Sequence, residues 1–293
     1  MIAVDWGTSN FRAFRLDAMG RIVDRRSSPT GILAVERNGF AELLTSHVGD
    51  WLSGGETRVL LCGMIGSREG WAETKYINCP VTIEDLAAAV VPIPFGPAKA
   101  LLIPGVAAKD GSGFPEVMRG EETEAIGAID AFGGSGTVCL PGTHSKWVQL
   151  RDGAMDGFQT CMTGEVYSAL RRCTILSSIM SPNATIDESA FLRGVERSSN
   201  EGGLLHHLFS VRTLGLVDQL TSEASSSYLS GLLIGHEVRS MMAPSAHVFL
   251  VGASDLCHIY SIAITACGGT STLADEDAAA RGLAAIGRRI TWS

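Results

Sequence analysis

The sequence lacks the features of secreted and membrane-spanning proteins. Its seven cysteines are odd in number, scattered and without a C-x-x-C pair, which favours reduced thiols over a disulfide framework. No apolar run reaches 18 residues, and Asp5 interrupts the N-terminal segment where a signal peptide needs an apolar stretch. We therefore expect a cytoplasmic protein that has no membrane partner.

Charge is scarce, and three common site motifs are absent. Charged residues make up 18% of the chain, the formal net charge is −8, and no block of Lys or Arg occurs. Nucleic acid is therefore not an expected partner, and an anionic ligand must be held by a local group of cations. No G-K-[ST], G-x-G-x-x-G or G-x-S-x-G motif occurs, which excludes the usual phosphate-loop, dinucleotide and hydrolase signatures.

The composition that remains indicates a compact α/β protein with many tight turns. Hydrophobic residues account for 45% of the 293 residues, and 34 residues are glycine. A chain of this length buries a sizeable core and is long enough for two lobes of ordinary size.

An internal repeat supports two lobes. A strand-like run, a turn at Gly7-Thr8 and a second run open the chain, and the same arrangement returns around Gly142-Thr143. Asp17 and Asp152 occupy matching positions at the second turns. We predict two lobes of similar topology, an N-terminal lobe over 1–134 and a C-terminal lobe over 135–293.

The other elements are predicted from hydrophobic periodicity. We expect strands at 59–62 and 247–251, and helices at 85–91, 120–132, 166–179, 188–197, 204–214, 228–242, 256–266 and 275–290. The serine-rich segment 222–227 is interpreted as a loop before a helix, and the helix that carries Glu237 as a surface helix. Small residues in the last helix predict close contact with another helix.

The two glycine turns suggest a phosphate site. A glycine followed by hydroxyl residues lets backbone N–H groups approach a phosphate closely, although the same residues are also ordinary in hairpin turns. Two such turns in register, one backed by Asp5 and the other followed by Lys146, indicate a clamp on a polyphosphate with Mg²⁺ held by Asp5. Lys146 and Arg12 could neutralise phosphate charge, or Arg12 could lie on a solvated strand face.

Six blocks of sequence together resemble the 2-dehydro-3-deoxygalactonokinase family. They are DWGTSNFRAF, GMIGSREGW, VMRGEET, PGTHSKWV, MTGE and VGASDL, and they occur in the family's order over most of the chain. The resemblance implies the actin-like ATPase fold, which is α/β with two ribonuclease-H-like lobes, an interlobe cleft and helical additions in the second lobe. It also implies transfer of the γ-phosphoryl group of ATP to the 6-hydroxyl of 2-dehydro-3-deoxy-D-galactonate, in bacterial galactonate catabolism.

The resemblance assigns the nucleotide-binding positions. It implies a first phosphate loop of Asp5, Gly7, Thr8, Ser9 and Asn10, a second of Gly142, Thr143, His144, Ser145 and Lys146, and an adenosine site at Gly252 and Ala253. The helices at 120–132 and 275–290 resemble the two connecting helices of the superfamily. Glu124 stands where the resemblance leads us to expect Gln.

Catalysis and acceptor binding are expected near the first connecting helix. Phosphoryl transfer needs a carboxylate near the attacking hydroxyl, and Glu121 is preferred over Glu122 because it directly follows Gly120. The alternative is that both acids only cap the helix.

The sugar acid carries a carboxylate, which an arginine binds with two parallel hydrogen bonds. We expect the acceptor site to use Arg68, Arg119, Ser67, Thr163 and Glu165, with Trp71 and Tyr76 either lining the site or packing in the core. Either arginine could instead pair with Glu69, Glu121 or Glu122.

Two other functions remain open. The acceptor could be another 2-keto-3-deoxy sugar acid, or the protein could be a non-kinase ATPase of the same superfamily. A homodimer is the default expectation.

Overall fold

The computed structural model of the protein describes residues 1–129, 133–182, 185–274 and 277–292. The chain divides into two compact units. Unit 1 consists of Met1–Gly136, Val148–Gln159 and Ala274–Ser293, and unit 2 of Thr137–Trp147 and Thr160–Leu273. The C-terminal segment therefore belongs to unit 1, whereas the sequence division at 134/135 assigns it to the second lobe.

The first part of the chain alternates strands and helices. In chain order these are β1 (Ile2–Trp6), β2 (Phe11–Leu16), β3 (Ile22–Ser28), α1 (Phe40–Ser53), β4 (Arg58–Cys62), β5 (Ile77–Asn78), α2 (Ile83–Ala88), β6 (Val91–Ile93), β7 (Lys99–Leu102), β8 (Val106–Lys109), β9 (Pro115–Met118) and α3 (Glu121–Ala128).

The second part begins with strands and is then mostly helical. Its elements are β10 (Gly136–Leu140), β11 (Ser145–Arg151), β12 (Ala154–Cys161), α4 (Thr163–Cys173), α5 (Glu188–Arg197), α6 (Gly203–Leu216), α7 (Ser222–Met241), β13 (His247–Leu250), α8 (Ser254–Ala266), β14 (Thr270–Leu273) and α9 (Ala278–Gly287). No helix among the described residues is long and apolar enough to cross a bilayer.

The strand orders confirm the internal repeat. One sheet has the order β3-β2-β1-β4-β7-β6 and another the order β12-β11-β10-β13-β14. In the first, β1 pairs parallel with β4 and β4 parallel with β7; in the second, β10 pairs parallel with β13 and β13 parallel with β14. The turns at Gly7-Thr8 and Gly142-Thr143 therefore connect equivalent strands. The small sheet β5-β8-β9 has no counterpart in the sequence predictions.

The core of unit 1 explains both its central strands and a helix that the sequence predictions omit. Strand β1 is buried almost throughout, as expected for a strand with neighbours on both sides. Helix α1 buries Phe40, Leu44, Val48 and Trp51, which recur at helical spacing and pack in the same hydrophobic cluster as Val4.

Helix α7 corrects two predictions. It begins at Ser222, so the interpretation of 222–227 as a loop is wrong. The Thr221 side chain accepts a hydrogen bond from the Ala224 N–H at 3.2 Å and caps the helix before this segment. Most of α7 is buried, and Glu237 is only 4% exposed, so this is not a surface helix either.

Other helix boundaries differ less. Helix α4 begins three residues before the predicted start at 166 and ends at Cys173, after which Ile175–Ile179 forms a 3₁₀ turn. Helix α2 ends at Ala88 because Val91 joins β6. Residues 130–132 and 275–276, the predicted end of the first connecting helix and start of the second, lie outside the described residues.

The close contact predicted for the last helix occurs within unit 1. A Cβ on Gly127 of α3 would collide with the Ala278 carbonyl oxygen of α9, and a Cβ on Gly282 of α9 would collide with the Thr123 carbonyl oxygen of α3. The two helices therefore touch backbone to backbone, which only glycine permits at these positions. This contact fixes α3, and with it the acids of its first turn.

Candidate active site

Three segments of unit 1 meet at the carboxyl ends of two parallel strands. They are the end of β1 at Asp5 and Trp6, the residue Gly63 after β4, and Gly120 before α3. A Cβ on Gly63, whose φ is 96°, would lie 2.7 Å from the Trp6 carbonyl oxygen and 3.1 Å from Asp5 Oδ1. A Cβ on Gly120, whose φ is 113°, would lie 3.1 Å from Gly63 Cα. Ligands of open α/β sheets bind at such strand ends.

The first predicted phosphate loop is an exposed, closed turn between β1 and β2. The Gly7 N–H donates to the Asn10 carbonyl oxygen at 2.9 Å, and Thr8, Ser9 and Asn10 are exposed. Among the hydrogen bonds of the described residues, none uses the backbone N–H of Thr8 or Ser9 as a donor. Free N–H groups and hydroxyls in one turn are suited to an anion.

Asp5 forms part of a charged network with Arg12 and Glu124. Arg12 Nε donates to Asp5 Oδ2 at 2.8 Å, and an Arg12 terminal nitrogen donates to Glu124 Oε1 at 2.7 Å. Burial and the charge of Asp5 raise the pKa of Glu124, and Arg12 opposes them. Arg12 is therefore held by two carboxylates of its own unit rather than lying free on a solvated strand face. Among the described residues, the hydrogen-bond contact of Asp5 Oδ1 is with the Cys62 thiol, at 3.9 Å.

The two candidate bases have different environments. Glu122 is fully buried, and its carboxylate accepts hydrogen bonds from the Gly120 N–H at 2.6 Å and the Thr123 hydroxyl at 3.1 Å. Burial, aided by the charge of Glu121, raises the pKa of Glu122 to about 8. Glu121 is half-buried, and its Oε2 accepts from the Arg119 N–H at 3.1 Å. Glu122 is thus an interior acid, and Glu121 is the more accessible of the two.

Arg119 is a buried cation held by neutral groups. It is 7% exposed, its guanidinium donates to the Thr74 hydroxyl and to the Thr74 carbonyl oxygen, and it lies 4.4 Å from the centre of the Tyr76 ring. In the part of the chain that the structure describes, no carboxylate forms an ion pair with it, and its Nε has no hydrogen-bond partner. The alternative pairing with Glu121 or Glu122 is not formed by its side chain.

Two further predicted acceptor residues, Ser67 and Arg68, are adjacent in the GMIGSR segment but have different surroundings. Ser67 is 8% exposed, and its hydroxyl has no partner among the described residues. The Arg68 side chain is 78% exposed, with its Nε 3.7 Å from Glu73 Oε1. Trp71 packs against the core residues Phe40 and Phe95, so of its two predicted roles the structure shows core packing.

In unit 2, the second predicted phosphate loop lies against the start of α4. A Cβ on Gly164 would collide with the Gly142 carbonyl oxygen, and the Glu165 N–H donates to the Thr143 carbonyl oxygen at 3.0 Å. The Glu165 carboxylate lies 2.5 Å from His144 Nε2. Loop and helix are thus tied together, and Glu165, predicted to meet the acceptor, contacts the loop.

A cavity of about 660 Å³ adjoins this loop within unit 2. The predicted nucleotide residues Gly142, Thr143 and Ala253 line it, as does Thr163, which was predicted to bind the acceptor. Gly252, with φ of 141°, precedes Ala253. The volume lies in the range of small-molecule sites, and large apolar side chains supply much of the wall: Phe191, Leu233, Ile234, Leu256 and Ile259.

A buried hydrogen-bond network behind this cavity was missed by sequence reasoning. Glu237 accepts from Trp147 Nε1 and from the Tyr260 hydroxyl, each at 2.8 Å, and Tyr260 also contacts the Ser145 hydroxyl at 2.8 Å. Burial raises the pKa of Glu237, and the hydrogen bonds oppose this. Between Ser145 and Trp147 in the sequence, Lys146 is 4% exposed, and its Nζ donates to the His144 carbonyl oxygen at 3.1 Å. An acid inside a helix with apolar residues on several faces is the signal that could have indicated this burial.

Comparisons with known proteins agree with the resemblance. The sequence profile of the family described as 2-keto-3-deoxy-galactonokinase matches residues 5–286. The chain is 37% identical over 296 residues to the Rhizobium meliloti (strain 1021) protein named "Probable 2-dehydro-3-deoxygalactonokinase DgoK1", covering 98% of this chain and 96% of that one. It is 33% identical to the Escherichia coli (strain K12) 2-dehydro-3-deoxygalactonokinase, covering 95% and 94% of the two chains.

Solved structures give the same result. The crystal structure of a candidate 2-dehydro-3-deoxygalactonokinase from Sinorhizobium meliloti matches with a TM-score of 0.91 at 36% identity, covering 98% of both chains. Component A of the Acidaminococcus fermentans (R)-2-hydroxyglutaryl-CoA dehydratase matches with a TM-score of 0.56 at 12% identity, over 99% of this chain and 98% of that one, which shows the fold alone. The predicted two-lobed α/β fold of the actin-like ATPases is thereby confirmed, and the chain belongs to the 2-keto-3-deoxy-galactonokinase family.

Proposed function

We propose that the protein is an ATP-dependent kinase that phosphorylates the 6-hydroxyl of 2-dehydro-3-deoxy-D-galactonate. Its family and the names of its relatives support this activity. The observation that carries the choice of a sugar acid is Arg119, a buried guanidinium without a carboxylate partner among the described residues, in the same unit as Glu121.

The acceptor carboxylate is the partner that Arg119 lacks. A buried charge is costly unless it is paired, and Thr74 and Tyr76 supply only neutral contacts. A carboxylate bound at Arg119 would also place hydroxyl or ketone oxygens near the unpartnered Ser67 hydroxyl, since Gly66 next to Ser67 lies against the guanidinium. Arg68, exposed beside Glu73, is available to contact the same acid.

We assign the base to Glu121. The attacking hydroxyl must lose its proton as the new P–O bond forms, and a half-buried carboxylate at the start of α3 can accept it. Glu122 supports this role from the interior, because it binds the Gly120 N–H and so fixes the turn that presents Glu121.

Within unit 2, the nucleotide is assigned to the cavity and the glycine turn beside it, and within unit 1 the first glycine turn is assigned by itself to phosphate binding. In unit 2, the exposed residues Thr143 and His144 would contact the phosphates, Gly142 and the buried Ser145 and Lys146 complete that turn, and the apolar cavity wall near Ala253 would hold the base. In unit 1, the exposed N–H groups and hydroxyls of Thr8, Ser9 and Asn10 are suited to phosphate. His144 and Glu165 position the second turn, and Lys146 contributes positive charge. Thr163 is reassigned from the acceptor to this cavity.

Mg²⁺ fits this site through a single protein carboxylate. No cluster of three metal-binding side chains occurs among the described residues, but Mg²⁺ is commonly held by one or two carboxylates together with waters and phosphate oxygens. Asp5 provides one oxygen that Arg12 does not bind, and Arg12, which is itself bound to Glu124, holds the carboxylate in place. The ion would supply charge neutralisation to the phosphates.

The test is a coupled assay of ADP formation over a panel of sugar acids. We expect turnover with 2-dehydro-3-deoxy-D-galactonate and weaker turnover with its stereoisomer derived from gluconate. Arg119→Lys should raise the KM for the sugar acid by about tenfold or more while changing the KM for ATP little, because the forked guanidinium contact is lost. Glu121→Gln should lower kcat by about 10² to 10⁴ while ATP still binds.

Three outcomes would contradict parts of this proposal. A higher kcat/KM with another 2-keto-3-deoxy acid would change the acceptor, and rapid ATP hydrolysis without any sugar acid would favour a non-kinase ATPase. Equal changes in both KM values for Arg119→Lys would make Arg119 structural. Arg58→Lys is the matched control, because Arg58 lies on a strand away from Arg119 and contacts the Trp292 ring instead.

A further inference from the structure

The polar surface of the unit 2 cavity consists of hydroxyl groups and backbone. Among the described residues that line it, none is charged and none is an Asn, Gln or His. The side chains that can form hydrogen bonds there are serines, threonines and tyrosines, including Ser226, Ser227 and Ser230 on one face of α7. The serine-rich segment that sequence reasoning interpreted as a loop is therefore a wall of the proposed nucleotide site.

One hydroxyl in this wall has no partner. Ser226 is 5% exposed and its Oγ forms no hydrogen bond among the described residues, whereas Ser227 Oγ accepts from the Asp187 N–H at 3.0 Å. A buried hydroxyl without a partner is destabilising. Ser226 lines the cavity together with apolar side chains that suit a planar ring, and this points to a polar atom of the bound base.

A hydroxyl differs from other recognition groups in that it can reverse its role. The hydrogen of a serine hydroxyl rotates, so the same oxygen either donates or accepts a hydrogen bond. The exocyclic amino group of adenine donates, while the oxygen at the same position of guanine accepts. A carboxylate, guanidinium or fixed amide would favour one of the two bases, but a hydroxyl wall satisfies both.

We propose that the cavity accepts either purine and that the protein uses GTP as well as ATP as its phosphoryl donor, with Ser226 as the residue that serves both bases. The inference rests on the proposed function for the identity of the ligand. In the GTP reaction, the bond between the γ-phosphorus and the β,γ-bridging oxygen breaks and GDP leaves. A bond from phosphorus to the acceptor 6-hydroxyl oxygen forms, and the hydroxyl proton passes to Glu121.

Nucleotide binding tests the inference independently of the acceptor. Calorimetric titration of the full chain with ADP and with GDP, each with Mg²⁺, should give dissociation constants within about tenfold of each other. Ser226→Ala should weaken both by a similar factor of about three to ten, the amount expected for one lost hydrogen bond. Ser225→Ala is the matched control, because Ser225 does not line the cavity and its hydroxyl donates to the Thr221 carbonyl oxygen at 2.8 Å.

The outcomes separate this inference from the proposed function. ADP binding at least 100-fold tighter than GDP binding overturns the inference and leaves the kinase assignment intact, as does a Ser226→Ala variant that weakens only one nucleotide. Binding of both nucleotides without turnover of any sugar acid overturns the acceptor assignment and the use of GTP as donor, and leaves only the binding of both purines by the cavity. Failure to bind either nucleotide overturns both.

Discussion

Replacing Glu122 by Gln should make the protein more stable at alkaline pH. The Glu122 carboxyl is fully buried at the start of α3, and its pKa rises from 4.5 to about 8 on folding. Between these two values the folded protein keeps a proton on Glu122 that the unfolded chain has lost. Stability contributed by this group is therefore present at low pH and decreases as pH rises towards 8.

The size of the effect follows from the proton difference. One proton bound more tightly by the folded state lowers the free energy of unfolding by about 1.4 kcal/mol per pH unit. Over pH 6 to 8, where the folded group goes from protonated to half ionised, the loss is about 2 kcal/mol. Gln does not titrate and resembles the neutral acid in shape, and its amide oxygen can still accept from the Gly120 N–H.

Urea unfolding of the wild type and Glu122→Gln at several pH values measures this difference. The variant should already be the more stable protein at pH 6, and its advantage over the wild type should grow by about 2 kcal/mol between pH 6 and pH 8. Glu42→Gln, at an exposed position of α1, controls for the loss of one negative charge. A difference in the free energy of unfolding between variant and wild type that stays constant with pH would refute the interior, protonated state of Glu122. So would a variant that loses stability relative to the wild type as pH rises.

Two further predictions concern packing and buried polar contacts. Gly127→Ala should destabilise the protein by about 3 kcal/mol because its Cβ collides with the α9 backbone, whereas Gly157→Ala, with nothing within 4 Å of the added Cβ, should change the unfolding midpoint little. Equal midpoints for the two variants would contradict the backbone contact of α3 with α9. Glu237→Leu should lower the free energy of unfolding by about 2 to 4 kcal/mol, because Trp147 Nε1 and the Tyr260 hydroxyl lose their acceptor. Tyr260→Phe should lower it by about 1 kcal/mol. A Glu237→Leu variant as stable as the wild type would show that the network contributes no net stability.

The parts of the fold that could be predicted are those carried by local pattern. The glycine turns after β1 and β10 repeat because each connects the same pair of strands, and the apolar periodicity of α5 defines its ends at 188 and 197. The serine-rich start of α7 could not be predicted in this way. Serine favours turns in isolation, and the segment is helical because Thr221 caps it and because the helix is buried in the core of unit 2.

In the candidate site too, some features follow from local sequence and others depend on contacts between distant segments. Sequence reasoning proposed Arg119 for the acceptor because a guanidinium can bind a carboxylate with two parallel hydrogen bonds, and Ser67 because it could meet a hydroxyl; the structure adds that both are buried. It assigned Thr163 to the acceptor, since nothing in one sequence shows that the start of α4 adjoins the unit 2 cavity. Burial of Glu237 depends on Trp147 and Tyr260, which are distant along the chain.

The pair Glu121 and Glu122 shows how adjacent, identical residues can differ in environment. Successive residues on a helix point about 100° apart, so the two acids face different surroundings. The positive φ of Gly120 and its close approach to Gly63 fix where the helix starts, and the contact of Gly127 and Gly282 with the backbone of the facing helix fixes its rotation. With start and rotation both set by glycines, Glu122 is buried beside Cys62 and Thr123 and Glu121 is left half-exposed. Under the proposed role of Glu121 as the base, Gly120→Ala or Gly282→Ala should therefore lower kcat, even though neither glycine has a side chain to offer the substrate.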